Sequence, residues 1–281
     1  MTTGITGATG QLGRLVVEKL KQQVGAGQLV ALVRSPEKAK DLGVASRAFD
    51  YTQPGQLAEG LQGIDQLLLI SGSEIGQRKT QHQNIIEAAK KAGVKRIVYT
   101  SLLHADTSSL SLAGEHHETE KLLKESGIPY TVLRNGWYTE NYTASVGAAL
   151  AEGYLSGSAG EGKISSATRA DYAEAAVVVL TTDGHAGKVY ELAGDNAYTL
   201  NDLAAEIFGQ TNQHVVYKNL SEQEYVTLLK EKGLPDIFAQ AIAGFDIGAA
   251  ANDLFDDGKV LSGLIGRPTT PLSVAVKNAL T

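Results

Sequence analysis

Apolar residues come along this chain in short bursts separated by longer stretches of mixed character. QLVALV (28–33), DQLLLI (65–70), VKRIVYT (94–100), PYTVLR (129–134) and KVYELA (188–193) are rich in aliphatic and β-branched residues and bounded by turn residues, which predicts buried strands. Between them the periodicity is helical. GRLVVEKLKQQV (13–24) sets Leu15, Val16, Lys19 and Leu20 in an i, i+4 pattern, and HQNIIEAAKKAG (82–93) runs to Gly93, a helix stop. Strand and helix alternating at this spacing predict a parallel sheet covered by helices on both faces, a Rossmann-like doubly wound α/β domain over residues 1–194. Beyond Ala193 helices dominate. TLNDLAAEIFG (199–209) and SEQEYVTLLKEKG (221–233) open with capping boxes, Thr199 with Asp202 and Ser221 with Glu224, and Gly209 and Gly233 stand where the helices should end. HVVYKNL (214–220) reads as one more strand. Residues 195–281 are therefore expected to form a smaller, mostly helical substrate-side lobe at the carboxyl edge of the sheet, with residues 135–160 contributing to the cleft.

The first turn of this pattern carries chemistry. In ITGATGQLG (5–13), Gly7, Gly10 and Gly13 fall directly after a strand and open a helix. Gly7 allows the tight turn, Gly10 lets backbone approach a pyrophosphate, and Gly13 lets helix pack on strand, while the helix N-terminus attracts the anion. A plain strand-to-helix turn would use the same glycines, but the strand and helix on either side favour a nucleotide. At the end of the second strand, ALVRSPEKAK places Arg34 where an NAD-specific site would hold an acid, followed by Ser35, Lys38 and Lys40. A guanidinium there suits a 2′-phosphate, so NADPH is the expected cofactor. A solvated basic helix start is the bland alternative.

Composition narrows the class. With 43% hydrophobic and 20% charged residues over 281 positions, the chain can bury a sizeable core and is not compositionally disordered. A net charge of -6 without a Lys/Arg cluster argues against a nucleic-acid surface. The absence of Cys excludes disulfides and thiolate catalysis. No apolar run approaches bilayer length and the N-terminus enters directly into strand and turn, so no membrane partner and a cytoplasmic location are expected.

GEHHETEKLLKESG (114–127) places His116 and Glu120 on one helix face, with His117 off it. A metal would need a third converging ligand that the sequence does not offer, so no metal is expected. Equally informative is a missing pair: no Tyr is followed four residues later by Lys, a spacing that would set a phenol and an ammonium on one helix face to deliver a proton. Ketone reduction needs such a donor. An acceptor whose reduced anion is stabilised by its own ring does not, because it can take a proton from water, leaving orientation as the main requirement.

TGATGQLG, VRSPEKA, ISGSEIGQR, YTSLLHADTS, YTVLRNGWYTENY and SATRADYA together resemble the NmrA-like branch of atypical short-chain dehydrogenases, and within it the bacterial NADPH:quinone oxidoreductases of type 2. The resemblance extends to FDDGKVLSGLIGRPTTPL (255–272). It implies that Gly7, Ala8, Thr9, Gly10, Gln11, Leu12 and Gly13 hold the pyrophosphate side of NADPH, with Arg34 and Lys38 at the 2′-phosphate. Ser71, Gly72, Ser73, Glu74 and Ile75, then Asn135, Gly136, Trp137, Tyr138, Thr139 and Glu140, would follow the ribose and nicotinamide, with Arg169 nearby. Several of these also suit ordinary turns, Asn135-Gly136 most clearly. Trp137, Tyr138, Asn141 and Tyr142 could line a planar acceptor's pocket, or form core between lobes; Tyr138 and Asn141 are the candidates to hydrogen-bond a quinone oxygen. His104 stays a candidate at the end of the fifth strand. His116 occupies the position of a Lys common in relatives, so it is either a remnant of that cofactor-side group, with a catalytic role, or a surface hydrogen-bond partner of Glu120. The expected activity is NADPH-dependent quinone reduction, with a homodimer left open. The rivals are a triphenylmethane-dye reductase and an NADP(H)-sensing regulator without turnover.

Overall fold

Thr3–Thr6 is buried at every position and forms the strand on which the rest of the sheet is laid out. The structure, a computed structural model, describes residues 1–74 and 76–281; Ile75, one of the expected cofactor contacts, lies outside the described residues. The strands are β1 (Thr3–Thr6), β2 (Leu29–Val33), β3 (Ala45–Ala48), β4 (Gln66–Leu69), β5 (Arg96–Leu102), β6 (Tyr130–Asn135), β7 (Tyr154–Gly157), β8 (Val189–Leu192) and β9 (Val216–Asn219). The helices are α1 (Gln11–Val24), α2 (Pro54–Gly60), α3 (Arg78–Ala92), α4 (Ala113–Ser126), α5 (Thr139–Thr143), α6 (Val146–Glu152), α7 (Arg169–Thr181), α8 (Leu200–Thr211), α9 (Glu222–Glu231), α10 (Asp236–Ala250), α11 (Val260–Ile265) and α12 (Leu272–Ala279).

The main sheet runs β3-β2-β1-β4-β5-β6-β8. β1 pairs in parallel with β2 on one side and β4 on the other, so the winding direction reverses between β1 and β4. That reversal creates the crevice at strand carboxyl ends where doubly wound sheets bind nucleotides. β2 and β4 are buried along their whole length, as parallel strands covered on both faces must be.

The chain divides into two compact units. The first is Met1–Asp106, Gly114–Asn135 and Arg169–Tyr190; the second is Thr107–Ala113, Gly136–Thr168 and Glu191–Thr281. The first unit's core joins Leu32, Leu67, Leu69, Ile85, Ile97, Tyr99, Leu123 and Val132, drawn from strands β2, β4, β5 and β6 and helices α3 and α4. In the second unit a smaller cluster packs α9 on α10 through Val226, Leu229, Ala239 and Ala243.

Both expected capping boxes form, Thr199 with Asp202 opening α8 and Ser221 with Glu224 opening α9. Four details differ from the sequence expectation. β8, expected to be buried, is buried only at Leu192, because it is an edge strand of the main sheet. α8 continues through Gly209 to Thr211 and ends on Asn212 in the left-handed region, which Asn tolerates better than most residues with a β-carbon. α3 starts at Arg78 rather than near residue 82, its first turn being too polar to show a periodic face. β9 forms, but pairs in parallel with β7 in a two-stranded sheet of its own. Among the described residues no helix is long and apolar enough to cross a membrane.

Candidate active site

The glycine turn is built by backbone constraints. Gly7 sits at φ +60°, where a β-carbon is strained, and its carbonyl accepts from the Gly10 amide at 2.9 Å. A Cβ on Gly13 would lie 2.2 Å from the Gly7 oxygen and 2.7 Å from the Ala8 Cα, so only glycine lets α1 approach the turn this closely. Gly10 is the N-cap of α1 and has no side chain to bond the first-turn amides, which suits an anion. Arg14, unremarked in the sequence, braces the turn: Nε donates to the Thr9 carbonyl (3.2 Å), Nη2 to the Lys38 carbonyl (3.3 Å), and Nη1 to Asp41 (2.5 Å). That contact holds the Asp41 carboxyl below its usual range. Arg34 follows β2 with its side chain 71% exposed, and its Nη1 donates to Glu74 at 3.2 Å. The two expected contacts Arg34 and Glu74 thus meet each other.

The segment after β4 is held by side chains from elsewhere. The Ile70 amide donates to Thr6 Oγ1 (2.9 Å), that of Ser71 to Thr100 Oγ1 (3.0 Å) and that of Gly72 to His82 Nε2 (3.0 Å). The Gly72 carbonyl accepts from Arg78 Nε (3.1 Å) and Nη2 (2.9 Å), while Gln81 Nε2 donates to Glu74 (2.7 Å). A Cβ on Gly7 would lie 3.5 Å from Ile70 Cβ, so this segment leaves the sheet beside the glycine turn.

α4 corrects one reading. His116 is buried, and its Nδ1 lies 2.7 Å from the Tyr99 hydroxyl. Burial, then the charge of Arg78, pushes the His116 pKa well below its ordinary value, and burial pushes that of Tyr99 up. Glu120 is engaged differently: it accepts from Ser101 Oγ (2.6 Å) and, bidentately, from Arg134 Nε (2.9 Å) and Nη2 (2.7 Å), and Arg134 Nη1 donates to Asp106 (2.8 Å). The surface hydrogen bond expected between His116 and Glu120 is therefore not formed. Both face inward, each taken by a partner from β5 or β6, because the i, i+4 face they share is the helix's packed face. Among the described residues no group of three His, Cys, Asp or Glu is placed to hold a metal. His104 takes a left-handed conformation at φ +53°, uncommon for a residue with a β-carbon.

Gly136, Trp137, Tyr138, Thr139, Glu140 and Asn141 belong to the second unit, whereas Gly7–Gly13, Arg34, Lys38, residues 71–74, His116, Asn135 and Arg169 belong to the first. Within the second unit Thr139 Oγ1 and Ser166 Oγ lie 2.8 Å apart, and the Thr139 amide donates to the Ala167 carbonyl. Asn141, in the middle of α5, is exposed. The expected acceptor-side aromatics lean on consecutive residues of α10: Trp137 meets Phe245 edge-on at 5.1 Å, and the Tyr142 hydroxyl donates to Asp246 (3.2 Å). Asp246 is buried and also accepts from the Ser158 amide (2.8 Å); burial raises its pKa to about 6.

A family description of NAD(P)H-binding proteins matches residues 7–183. Over 277 residues the chain is 58% identical to quinone oxidoreductase 2 of Escherichia coli, covering 98% of this chain and 97% of that one. The chain belongs to the NAD(P)H-binding family, in the branch of the type 2 quinone oxidoreductases. The solved structure of the E. coli NADPH-dependent quinone oxidoreductase complexed with NADPH superposes with a TM-score of 0.97 at 57% identity over 100% of both chains. Triphenylmethane reductase of Citrobacter sp., complexed with NADP(H), superposes with a TM-score of 0.96 at 37% identity over 99% of this chain and 100% of that one.

The family's nucleotide fits the residues present. The uncapped amides of α1 suit a pyrophosphate, and the exposed Arg34 fork a phosphate. Asn135, buried at the carboxyl end of β6, has no donor to its Oδ1 among the described residues, which makes it an acceptor suited to a ligand amide or hydroxyl. Arg169 opens α7 at the boundary of the first unit. The residues that sequence reasoning missed, Arg14, Arg78, His82 and Glu115, share one property: each acts on backbone or on another side chain of the site. Arg78 and His82 precede or interrupt an apolar helical pattern, which is a faint signal, since a buried Arg or His needs a reason to be there.

Proposed function

We propose that this protein reduces quinones to hydroquinones with NADPH. The observation that carries the reading is identity of 58% sustained over nearly the full length of both this chain and an enzyme named for that acceptor. In the net reaction the quinone gains a hydride and a proton, and NADPH becomes NADP+. NADPH supplies the hydride. The chain's own residues bind and orient: the turn from Gly7 to Leu12, through the first-turn amides of α1, takes the pyrophosphate, Arg34 the 2′-phosphate, and residues 71–74 with Asn135 the ribose and nicotinamide side. Trp137, Tyr138 and Asn141 serve the acceptor, Trp137 as a stacking face and the other two as hydrogen-bond donors to its oxygens.

No side chain is needed as the proton source. His116 and Tyr99 are buried on one another, and Tyr142 directs its proton to Asp246, with burial pushing its pKa further up. The hydroquinone anion takes its proton from water. A cytoplasmic location belongs to the same reading. The test is to mix the protein with NADPH and 1,4-benzoquinone and follow the nicotinamide absorbance. Enzyme-dependent oxidation is expected, and none across several quinones would favour a sensor without turnover. The 37% identity to a triphenylmethane reductase favours, as a second reading, a triphenylmethane dye as acceptor. A dye run in parallel ranks the two.

A further inference from the structure

Past the end of β4 the chain no longer pairs as sheet, and three successive amides, those of Ile70, Ser71 and Gly72, are taken by side chains of β1, β5 and α3. Their partners Thr6, Thr100 and His82 are all buried. Gly72 is gripped on both sides, its N–H by His82 and its C=O by both Nε and Nη2 of Arg78. Arg78 is itself paired through Nη1 with Glu115 of α4 at 2.7 Å. The proton pattern around His82 is determined. The Gly72 N–H can only donate, so Nε2 accepts; Nδ1 then carries the hydrogen and donates to Thr119 Oγ1 (3.0 Å), whose own hydrogen goes to the Glu115 carbonyl (3.0 Å). Burying an imidazole and a guanidinium is costly compared with an apolar side chain of similar size, so packing alone does not account for them. What they jointly determine is the course of residues 71–74 beside the glycine turn.

We propose that His82, backed by Arg78, is a positioning residue for NADPH: by accepting the Gly72 amide at Nε2 it sets the path of the 71–74 segment along the cofactor. The proposal rests on the reading that this segment lines the cofactor. The pair of variants His82→Asn and His82→Gln separates positioning from mere packing. An Asn amide reaches only the Nδ1 position and leaves the Gly72 N–H without an acceptor, whereas a Gln amide reaches the Nε2 position and can supply one.

The experiment titrates NADPH against wild type, H82N, H82Q and S73E by nicotinamide fluorescence, with Tm measured on each protein without NADPH and KM for benzoquinone on each. Expected are a Kd for NADPH raised about tenfold in H82N, the loss of one hydrogen bond's worth of order, and within about threefold of wild type in H82Q, with KM for the quinone unchanged in both. In S73E a carboxylate on the exposed tip of the segment should also raise Kd. A wild-type Kd in H82N alongside a raised Kd in S73E overturns the positioning role while leaving the site reading in place. Equal losses of affinity and Tm in H82N and H82Q overturn it as well, showing a packing effect. An unchanged Kd in S73E removes the segment from the cofactor and the proposal with it.

Discussion

Acidification should unfold this protein in part through His82, and the size of that contribution follows from its surroundings. His82 is fully buried, with Tyr51 and Tyr99 edge-on to its ring, and burial followed by the charge of Arg78 lowers its pKa from 6.5 to about 3. Between those values the unfolded chain takes a proton that the folded one excludes. Stability present above pH 6.5 is therefore lost as pH falls toward 3. At about pH 5 the unfolded side chain is favoured by roughly 1.5 units at about 1.4 kcal/mol each, or about 2 kcal/mol, and this figure is insensitive to the folded value so long as that stays well below 5. His116 acts in the same direction, while Asp246, with its pKa raised to about 6, acts in the opposite one, since its folded form takes up a proton earlier than the unfolded chain. A comparison of variants isolates the His82 share. Urea unfolding of wild type and H82Q at about pH 7.5 and about pH 5 should show H82Q losing about 2 kcal/mol less than wild type on acidification. Equal losses in the two proteins would mean that His82 is protonated in the folded state or reached by water, and the assigned acceptor role at Gly72 would go with it.

Other substitutions probe the rest of the site. Arg34→Ala should raise KM for NADPH about ten- to a hundredfold, as expected for a charge-assisted phosphate contact, and that for NADH far less; equal effects on both cofactors would sink the 2′-phosphate assignment. Gly13→Ala forces α1 away from the Gly7 carbonyl, so a loss of about 2 kcal/mol or more and weakened NADPH binding are expected, read by thermal melting and fluorescence titration. His116→Ala strips the buried Tyr99 hydroxyl of its partner; stability should fall by about 1–3 kcal/mol while kcat for benzoquinone is retained, and a large fall in kcat at unchanged stability would return His116 to the chemistry. Asp246→Asn should remove the stabilisation that its raised pKa gives between about pH 6 and pH 4, seen as a steeper acid loss in urea unfolding than in wild type.

The parts of this molecule that were legible in its sequence are those whose cause is local. The glycine turn is readable because Gly7 needs a positive φ and Gly13 needs no Cβ, constraints on single residues within one turn. The capping boxes at Thr199 and Ser221 are readable because both halves lie three residues apart. Arg34 stands out by its place at the end of a strand. The fate of His116 and Glu120 was not readable, because helical spacing says that they share a face and not which way it points. Glu120 meets Arg134 from 14 residues away and Ser101 from 19, pairings that exist only once β5, β6 and α4 are stacked. Gly72 and its holders are separated in the same way: Arg78 gains meaning only when Glu115, 37 residues further on, arrives beside it.

These long-range pairings bear on why the usual proton relay is missing. In this chain the inward face of α4 is fully employed in holding other groups: Glu115 and Thr119 secure Arg78 and His82, His116 closes the Tyr99 hydroxyl, and Glu120 neutralises Arg134. A Lys at position 116, as in relatives with that residue, would place an ammonium where His116 now sits buried near the charge of Arg78, and both the burial and that charge already disfavour a proton there. Restoring that one residue would therefore destabilise the fold before it restored proton delivery. The acceptor best matched to such a site is one whose reduced form needs no donor, which is the chemical property that distinguishes a quinone from a ketone.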